Sequence, residues 1–277
     1  MINIITDSTS DLGADIAAEF NLSVIPLSVT IGGAVYRDGV DIQQEDLFAL
    51  VQKHGELPKT AAPSVGEFIK LFDLPGENVF IGISSKLSAT IQNAILAAGS
   101  FPEGKVRIID SLNLSTGVGL LALRAAGLRD LGVSAKQAEK ELQHGVAKLH
   151  TSFMVDTMDY LYKGGRCTAI QAIAGSVLKI HPIIAVNRDG SLGVKEKARG
   201  TRQKGLQMML DDFMAHLNEL ELERVFVTHT SSDADAEFLK SEIIRLAGPK
   251  DVRITKAGSV ISSHCGPGTI GILFFVK

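Results

Sequence analysis

The sequence predicts a two-domain α/β protein, with a mainly parallel sheet in the N-terminal part and a mixed sheet in the C-terminal part. Three observations lead there. The chain has 277 residues, and a domain usually takes ~100–200. The first half alternates short β-branched runs with helical patterns, as βαβ units do. The second half carries the hairpin dipeptide Asp189-Gly190 and then resumes the alternation, which mixes strand directions.

Taken in order, Ile2–Ile5 reads as a strand and Asp7–Asp11 as a polar turn. Leu22–Ile31 is extended, with Gly32-Gly33 closing a hairpin. Gln43–Lys53 reads as a helix, Val79–Ile83 as a strand, and a helix follows from about Ser88 to Ala98. After the strand Val106–Ile109, Gly117–Leu131 is helical and apolar nearly all round, the pattern of a helix buried between layers. The division falls near Lys148–Ser152, giving residues 1–149 and 150–277. Beyond it, Phe153–Val155 is extended, and Pro182–Val186 and Gly193–Lys197 flank the hairpin turn. Arg199–Leu217 reads as an amphipathic helix with Leu206, Met209, Phe213 and Leu217 on one face. Val225–Thr228, Val252–Thr255 and Ile270–Val276 are strands, with a helix between the first two.

Composition excludes several classes. The net charge is −3 and there is no Trp, so neither a basic footprint nor a base-stacking platform for nucleic acid is present. Two cysteines, Cys167 and Cys265, are too few for a disulfide framework or a four-cysteine zinc site. No uncharged apolar run reaches ~18 residues, and the N-terminus lacks the basic and apolar regions of a signal peptide. A cytoplasmic location without stable membrane insertion is expected. The aliphatic apolar fraction suits an ordinary core and an alkyl ligand equally well.

The usual catalytic patterns fail on context. Gly266-Pro267-Gly268-Thr269-Ile270-Gly271 has the letters of a dinucleotide fingerprint, but an apolar run follows it where a helix is required. It reads as a turn into a last strand. His264 and Cys265 are sequence neighbours and do not face each other in a regular element. Ser84 and Ser85 lack the Gly-x-Ser-x-Gly elbow, and Asp7, Asp38, Asp41 and Asp110 read as caps. Pro58-Lys59-Thr60 reads as a turn rich in donors. Ser84–Thr90 follows a strand and opens a helix, whose first N–H groups are unpaired and favour an anion. Ser88 is either part of that cradle or a plain cap.

These segments resemble the DegV family of bacterial fatty-acid-binding proteins over the whole length. The resemblance rests on Thr6-Asp7-Ser8-Thr9-Ser10-Asp11-Leu12, Tyr36-Arg37-Asp38-Gly39-Val40-Asp41, Lys59–Ser64, Ser84–Thr90, Tyr160–Arg166 and Ser263-His264-Cys265-Gly266-Pro267-Gly268-Thr269, all in the same order. It implies two dissimilar α/β domains, with an acyl chain buried in the N-terminal part. It also implies a lipid carrier rather than an enzyme, needing no cofactor, that presents its ligand to a separate ATP-dependent fatty-acid kinase for acyl-phosphate formation. The carboxylate-binding positions carry over to Thr60 and Ser88, with Ala61, Thr90 and His264 beside them. Arg166, Arg199 and Arg202 correspond to basic positions at the portal or partner contact.

Two segments depart from the family pattern. Thr60-Ala61-Ala62-Pro63-Ser64 stands where Thr-Ser-Gln-Pro-Ser is usual, and Leu87-Ser88-Ala89-Thr90-Ile91-Gln92 where Leu-Ser-Gly-Thr-Tyr-Gln is usual. Ala61 removes a hydroxyl, and Ala62 and Ile91 make their surroundings more apolar. A stand-alone acyl hydrolase or transferase using Cys265 or Ser88 is the alternative reading.

Overall fold

The structure, a computed structural model, describes residues 2–167 and 180–277. In chain order the first half holds β1 (Ile2–Asp7), a 3-10 turn (Ser8–Ser10), α1 (Gly13–Glu19), β2 (Leu22–Ile25), β3 (Ser28–Ile31), β4 (Ala34–Arg37), α2 (Gln44–His54), β5 (Lys59–Ala61), α3 (Val65–Phe72), β6 (Glu77–Gly82), α4 (Thr90–Ala98), β7 (Val106–Asp110), α5 (Thr116–Asp130) and α6 (Ala135–Val146). The second half holds β8 (Leu149–Met154), α7 (Asp159–Gly164), β9 (Ile180–Val186), β10 (Leu192–Arg199), α8 (Arg202–Ala215), β11 (Leu220–His229), α9 (Asp233–Ala247), β12 (Asp251–Lys256), α10 (Ser259–Cys265) and β13 (Ile270–Val276).

The first sheet is parallel, in the order β2-β1-β6-β7. Its central strands are apolar runs with helices on both faces, as a parallel sheet requires. On one face α3 and α4 bury Phe68 and Phe72 against Phe80 of β6. On the other lies α5, whose residues from Thr116 to Leu123 are buried all round. It is clamped between this sheet and a second, where Val118 and Leu121 share a cluster with Ile4 and Ile81 on one side and Phe226 and Leu273 on the other. The second sheet is mixed, in the order β10-β9-β8-β13-β11-β12, with β11 and β12 its parallel pair. Its outer face carries α8 and α9, packed through Leu206, Met209, Phe213, Leu239 and Ile243. A small antiparallel sheet, β4-β3-β5, sits beside them.

Several expectations are adjusted. The extended run Leu22–Ile31 is two strands separated by Pro26 and Leu27, and Gly32 and Gly33, both at positive φ, turn β3 into β4. Lys59 and Thr60 are not in a turn: they form β5, held by pairing of Val29 with Thr60. The helix expected from Arg199 starts at Arg202, because β10 continues to Arg199 opposite Ile180. Leu217 lies past its end and is exposed, while Leu206, Met209 and Phe213 are buried as expected. The helices α1, α3, α6, α7 and α10 are not among the elements expected from the sequence.

Candidate functional site

The site is built where the small sheet, the end of β6 and α10 meet. Asp7, at the end of β1, accepts the amide of Ile83 (2.8 Å) and that of Thr9 (2.9 Å), so the chain leaving β6 is tied to β1. Ser84 then donates to the Gly190 carbonyl at 2.8 Å, joining this loop to the hairpin of the second half. Ser88 precedes α4. Its Oγ accepts the Thr90 amide at 3.3 Å and lies 2.8 Å from the Thr90 hydroxyl. Thr90 is therefore a buried support behind Ser88.

Thr60 lies on β5, and its Oγ1 is 2.8 Å from Nε2 of His264, 204 residues away. Ala61, the next residue, is exposed on the opposite side of the short strand, and Ala62 turns back to line the cavity. His264 rides on α10. That helix begins on two buried carboxylates of the first half: Asp11 accepts the Gly258 amide at 2.8 Å and Asp38 the Ser259 amide at 2.6 Å. Acids at a helix start are favourable, and here they fix how α10 enters the site. Gly164 of α7 approaches His264 so closely that a Cβ there would meet Nδ1 at 2.6 Å. Arg166 follows Gly165, whose φ of 70° turns the chain out of α7. Its guanidinium donates to the carbonyls of Leu87 (3.3 Å) and Gly164 (2.6 Å). Among the described residues no carboxylate lies within ion-pair distance of it.

Thr60, Ser88, Arg166 and His264 line one cavity of about 180 Å³ whose remaining wall is largely aliphatic, including Leu27, Ile83, Leu114, Leu161, Leu192 and Ile261. The four polar residues are half-buried, whereas Ile83, Leu114, Ile261 and Cys265 are buried. Polar groups thus lie toward solvent and the aliphatic wall lies deep. A smaller cavity of about 20 Å³ shares Leu114, Ile261 and Cys265 and reaches Phe153 and Leu273. The wall comes from both halves of the chain, because α10 packs back onto α2, β3 and β5. It is not confined to residues 1–149, where the acyl pocket was expected.

Electrostatics separates the candidate chemistries. Burial, followed by the nearby Arg166 charge, pushes the His264 imidazole down to about 4, so it is neutral at pH 7. Its Nδ1 is buried and unpartnered. A neutral imidazole that donates from Nε2 to Thr60 Oγ1 leaves the threonine proton free for a second acceptor. Ser88 has the same freedom when Thr90 donates to it. The Cys265 thiol is pushed up to about 12 by burial, then by Asp11 and Cys167. It therefore lacks the thiolate character of a nucleophile. The imidazole nitrogen Nε2 is engaged with Thr60 rather than Ser88, so His264 is not placed as the activating base for Ser88.

Arg199 is exposed at the end of β10. Arg202, expected as an exposed basic residue, is instead half-buried and paired with Asp235 at 2.6 Å and Asp156 at 3.4 Å. Neither lines the cavity. No helix among the described residues is long and apolar enough to cross a membrane.

The family model of the uncharacterised DegV proteins matches residues 1–277. A DegV domain-containing protein of Caldanaerobacter subterraneus subsp. tengcongensis is 32% identical over 285 residues, covering 100% of this chain and 99% of the relative. Among solved structures, a DegV family protein from Thermus thermophilus, described for its fatty-acid binding, is 31% identical. It superposes with a TM-score of 0.93 over 100% of this chain and 99% of its own. A DegV lipid-binding protein from Thermotoga maritima is 27% identical, with a TM-score of 0.87 over 99% and 98% of the two chains.

Proposed function

The chain belongs to the DegV family, and on that footing we propose that it binds one long-chain fatty acid non-covalently and carries it in the cytoplasm. The observation that carries this reading is the aliphatic cavity with Thr60, Ser88, His264 and Arg166 at its outer side. In it the carboxylate accepts the hydroxyl protons of Thr60 and Ser88. His264, neutral, orients Thr60, and Arg166 supplies a positive charge that no carboxylate among the described residues pairs with. The tail runs inward past Leu114, Ile261 and Cys265, in a cavity shared between units 1–149 and 150–277. Burying ~14 methylenes at ~0.8 kcal/mol each gives an upper bound of about 11 kcal/mol before the costs of association. Affinity therefore comes from the tail, and the head needs donors chiefly so that its burial is not prohibitive.

The test is lipid analysis of purified protein under native and denaturing conditions. One equivalent of free fatty acid is expected on denaturation. A covalent acyl adduct on Cys265 or Ser88 would instead support acyl transfer. Each hydroxyl bond to the carboxylate is worth ~1.5–3 kcal/mol, so Thr60→Val and Ser88→Ala should each weaken fatty-acid binding about tenfold or more. A fatty alcohol of the same length should be affected much less. Unchanged fatty-acid binding by the double variant would place the head group elsewhere.

The half-buried head position also suits presentation of the carboxylate to a separate ATP-dependent kinase, as the family resemblance implies. Arg166, at the cavity, and Arg199, exposed at the end of β10, are cations open to such a partner. Arg202 would first have to give up Asp235 and Asp156. Arg166→Ala is expected to retain its lipid while acyl-phosphate formation by the kinase falls. Loss of lipid and phosphorylation in equal measure would assign Arg166 to the pocket alone.

A further inference from the structure

On the outer face of the second sheet, opposite the lipid cavity, three potential metal ligands converge. Along β8, Thr151 and Phe153 line the smaller cavity, so the alternate residues His150 and Ser152 point to the other face, toward α8. There His150 Nε2 lies 3.2 Å from Asp212 Oδ2. Asp212 and His216 are four residues apart at the end of α8, so they share one helix face. The His150 and His216 rings are 4.3 Å apart, and Phe274 lies 4.9 Å from the former and 5.9 Å from the latter. One donor atom from each of the three residues lies within 4.8 Å of the other two.

We propose that His150, Asp212 and His216 bind a divalent transition-metal ion of the Zn²⁺ type, with Lys195 as a built-in competitor for the same place. Two imidazoles and one carboxylate are a borderline-soft donor set, suited to Zn²⁺ and its neighbours rather than to Mg²⁺ or Ca²⁺. Tetrahedral zinc with bonds of about 2.0–2.1 Å needs donors roughly 3.3 Å apart. The His150–Asp212 separation already meets this, and His216 requires only side-chain rotation. A fourth position stays open to water. Phe274 forms an apolar floor that limits solvent access from below. Ser152, whose hydroxyl is 3.5 Å from Asp212, steadies the carboxylate.

Lys195 makes the arrangement intelligible. Its ammonium pairs with the other oxygen of Asp212. It sits where the β9–β10 register shifts between Val194 and Glu196, so Lys195 is the extra residue of a β-bulge. Bulges re-aim side chains, and this one delivers a cation to the carboxylate that would otherwise meet a metal. Lys195 is exposed and can swing into solvent when the metal arrives. The ion would then bridge β8 to the end of α8.

The test uses the untagged full chain, with Zn²⁺ followed by calorimetry and Co²⁺ as a spectroscopic probe. One equivalent is expected, with the visible absorption of nitrogen- and oxygen-ligated Co²⁺. His216→Ala and Asp212→Asn should each weaken binding at least about tenfold. Lys195→Met should strengthen it by about fivefold or more, because the half-buried Lys195–Asp212 ion pair no longer has to be broken. Lipid content should be the same in all variants, since the site faces away from the cavity. Absence of stoichiometric binding in both the parent protein and Lys195→Met overturns the proposal, as does binding indifferent to His216→Ala and Asp212→Asn.

Discussion

At the scale of single residues, the site is governed by which protons stay put. His264 titrates near 4 instead of 6.5, because burial and then Arg166 disfavour its charged form. The unfolded chain is the better proton binder between those two values. The contribution of His264 to stability is therefore complete above pH 6.5 and is lost as pH falls toward 4, by on the order of 3 kcal/mol. Asp7 and Asp38 act in the opposite sense. Burial raises both from 3.8 to about 6, against hydrogen bonds that lower them, so they add stability as pH falls through 6 toward 3.8. The net curve hides both, and a difference measurement separates them. His264→Gln is expected to lose less stability than the parent between about pH 7 and about pH 4.5 in urea unfolding. Parallel losses in the two proteins would put the acid sensitivity on other groups.

At the scale of elements, α5 shows packing overriding propensity. Gly119 is helical, and alanine is the better helix former by about 1 kcal/mol. A Cβ there would lie 2.7 Å from Leu12 Cδ2 and 2.8 Å from the Ser10 carbonyl oxygen. The leucine can yield, but the carbonyl belongs to a turn fixed by Asp7 and cannot. Overpacking of this kind costs ~1–3 kcal/mol, so Gly119→Ala should lower the thermal midpoint despite its propensity. A raised midpoint would show that the turn and α5 are looser than their contacts imply. Apolar residues on nearly every side made α5 readable as a buried helix, and the βα alternation made the first sheet readable. Helix α6 was legible and missed: Ser134 caps it through the Gln137 amide, and Ala135, Ala138 and Leu142 mark its buried face. Helix α10 and β5 were not legible in this way. The first is seven residues long and starts on carboxylates supplied by Asp11 and Asp38, and the second is three residues held by β3. Thr60 and Ser88 stood out locally as a donor and as part of a helix-start cradle, but their grouping with His264 came only through family resemblance, because no local spacing relates residues so far apart in the chain.

At the scale of the whole molecule, the cavity wall is divided between the two halves, so an occupant fastens one to the other. A ligand present at ~100 times its dissociation constant stabilises a folded protein by about 2.7 kcal/mol. Delipidated protein should unfold at a lower temperature than loaded protein, and re-addition of a long-chain fatty acid should restore the difference. Equal midpoints for loaded and stripped protein would mean that the lipid is not held by the folded cavity. The position of β13 has a different kind of consequence. It lies between β8 and β11, yet leaves the ribosome after both. A nascent chain that has already emitted β8 and β11 therefore displays two hydrogen-bonding edges with no strand between them. Until β13 inserts, those edges are open to wrong partners, and the interval between translation of β11 and of β13 is when a holdase chaperone would be of most use.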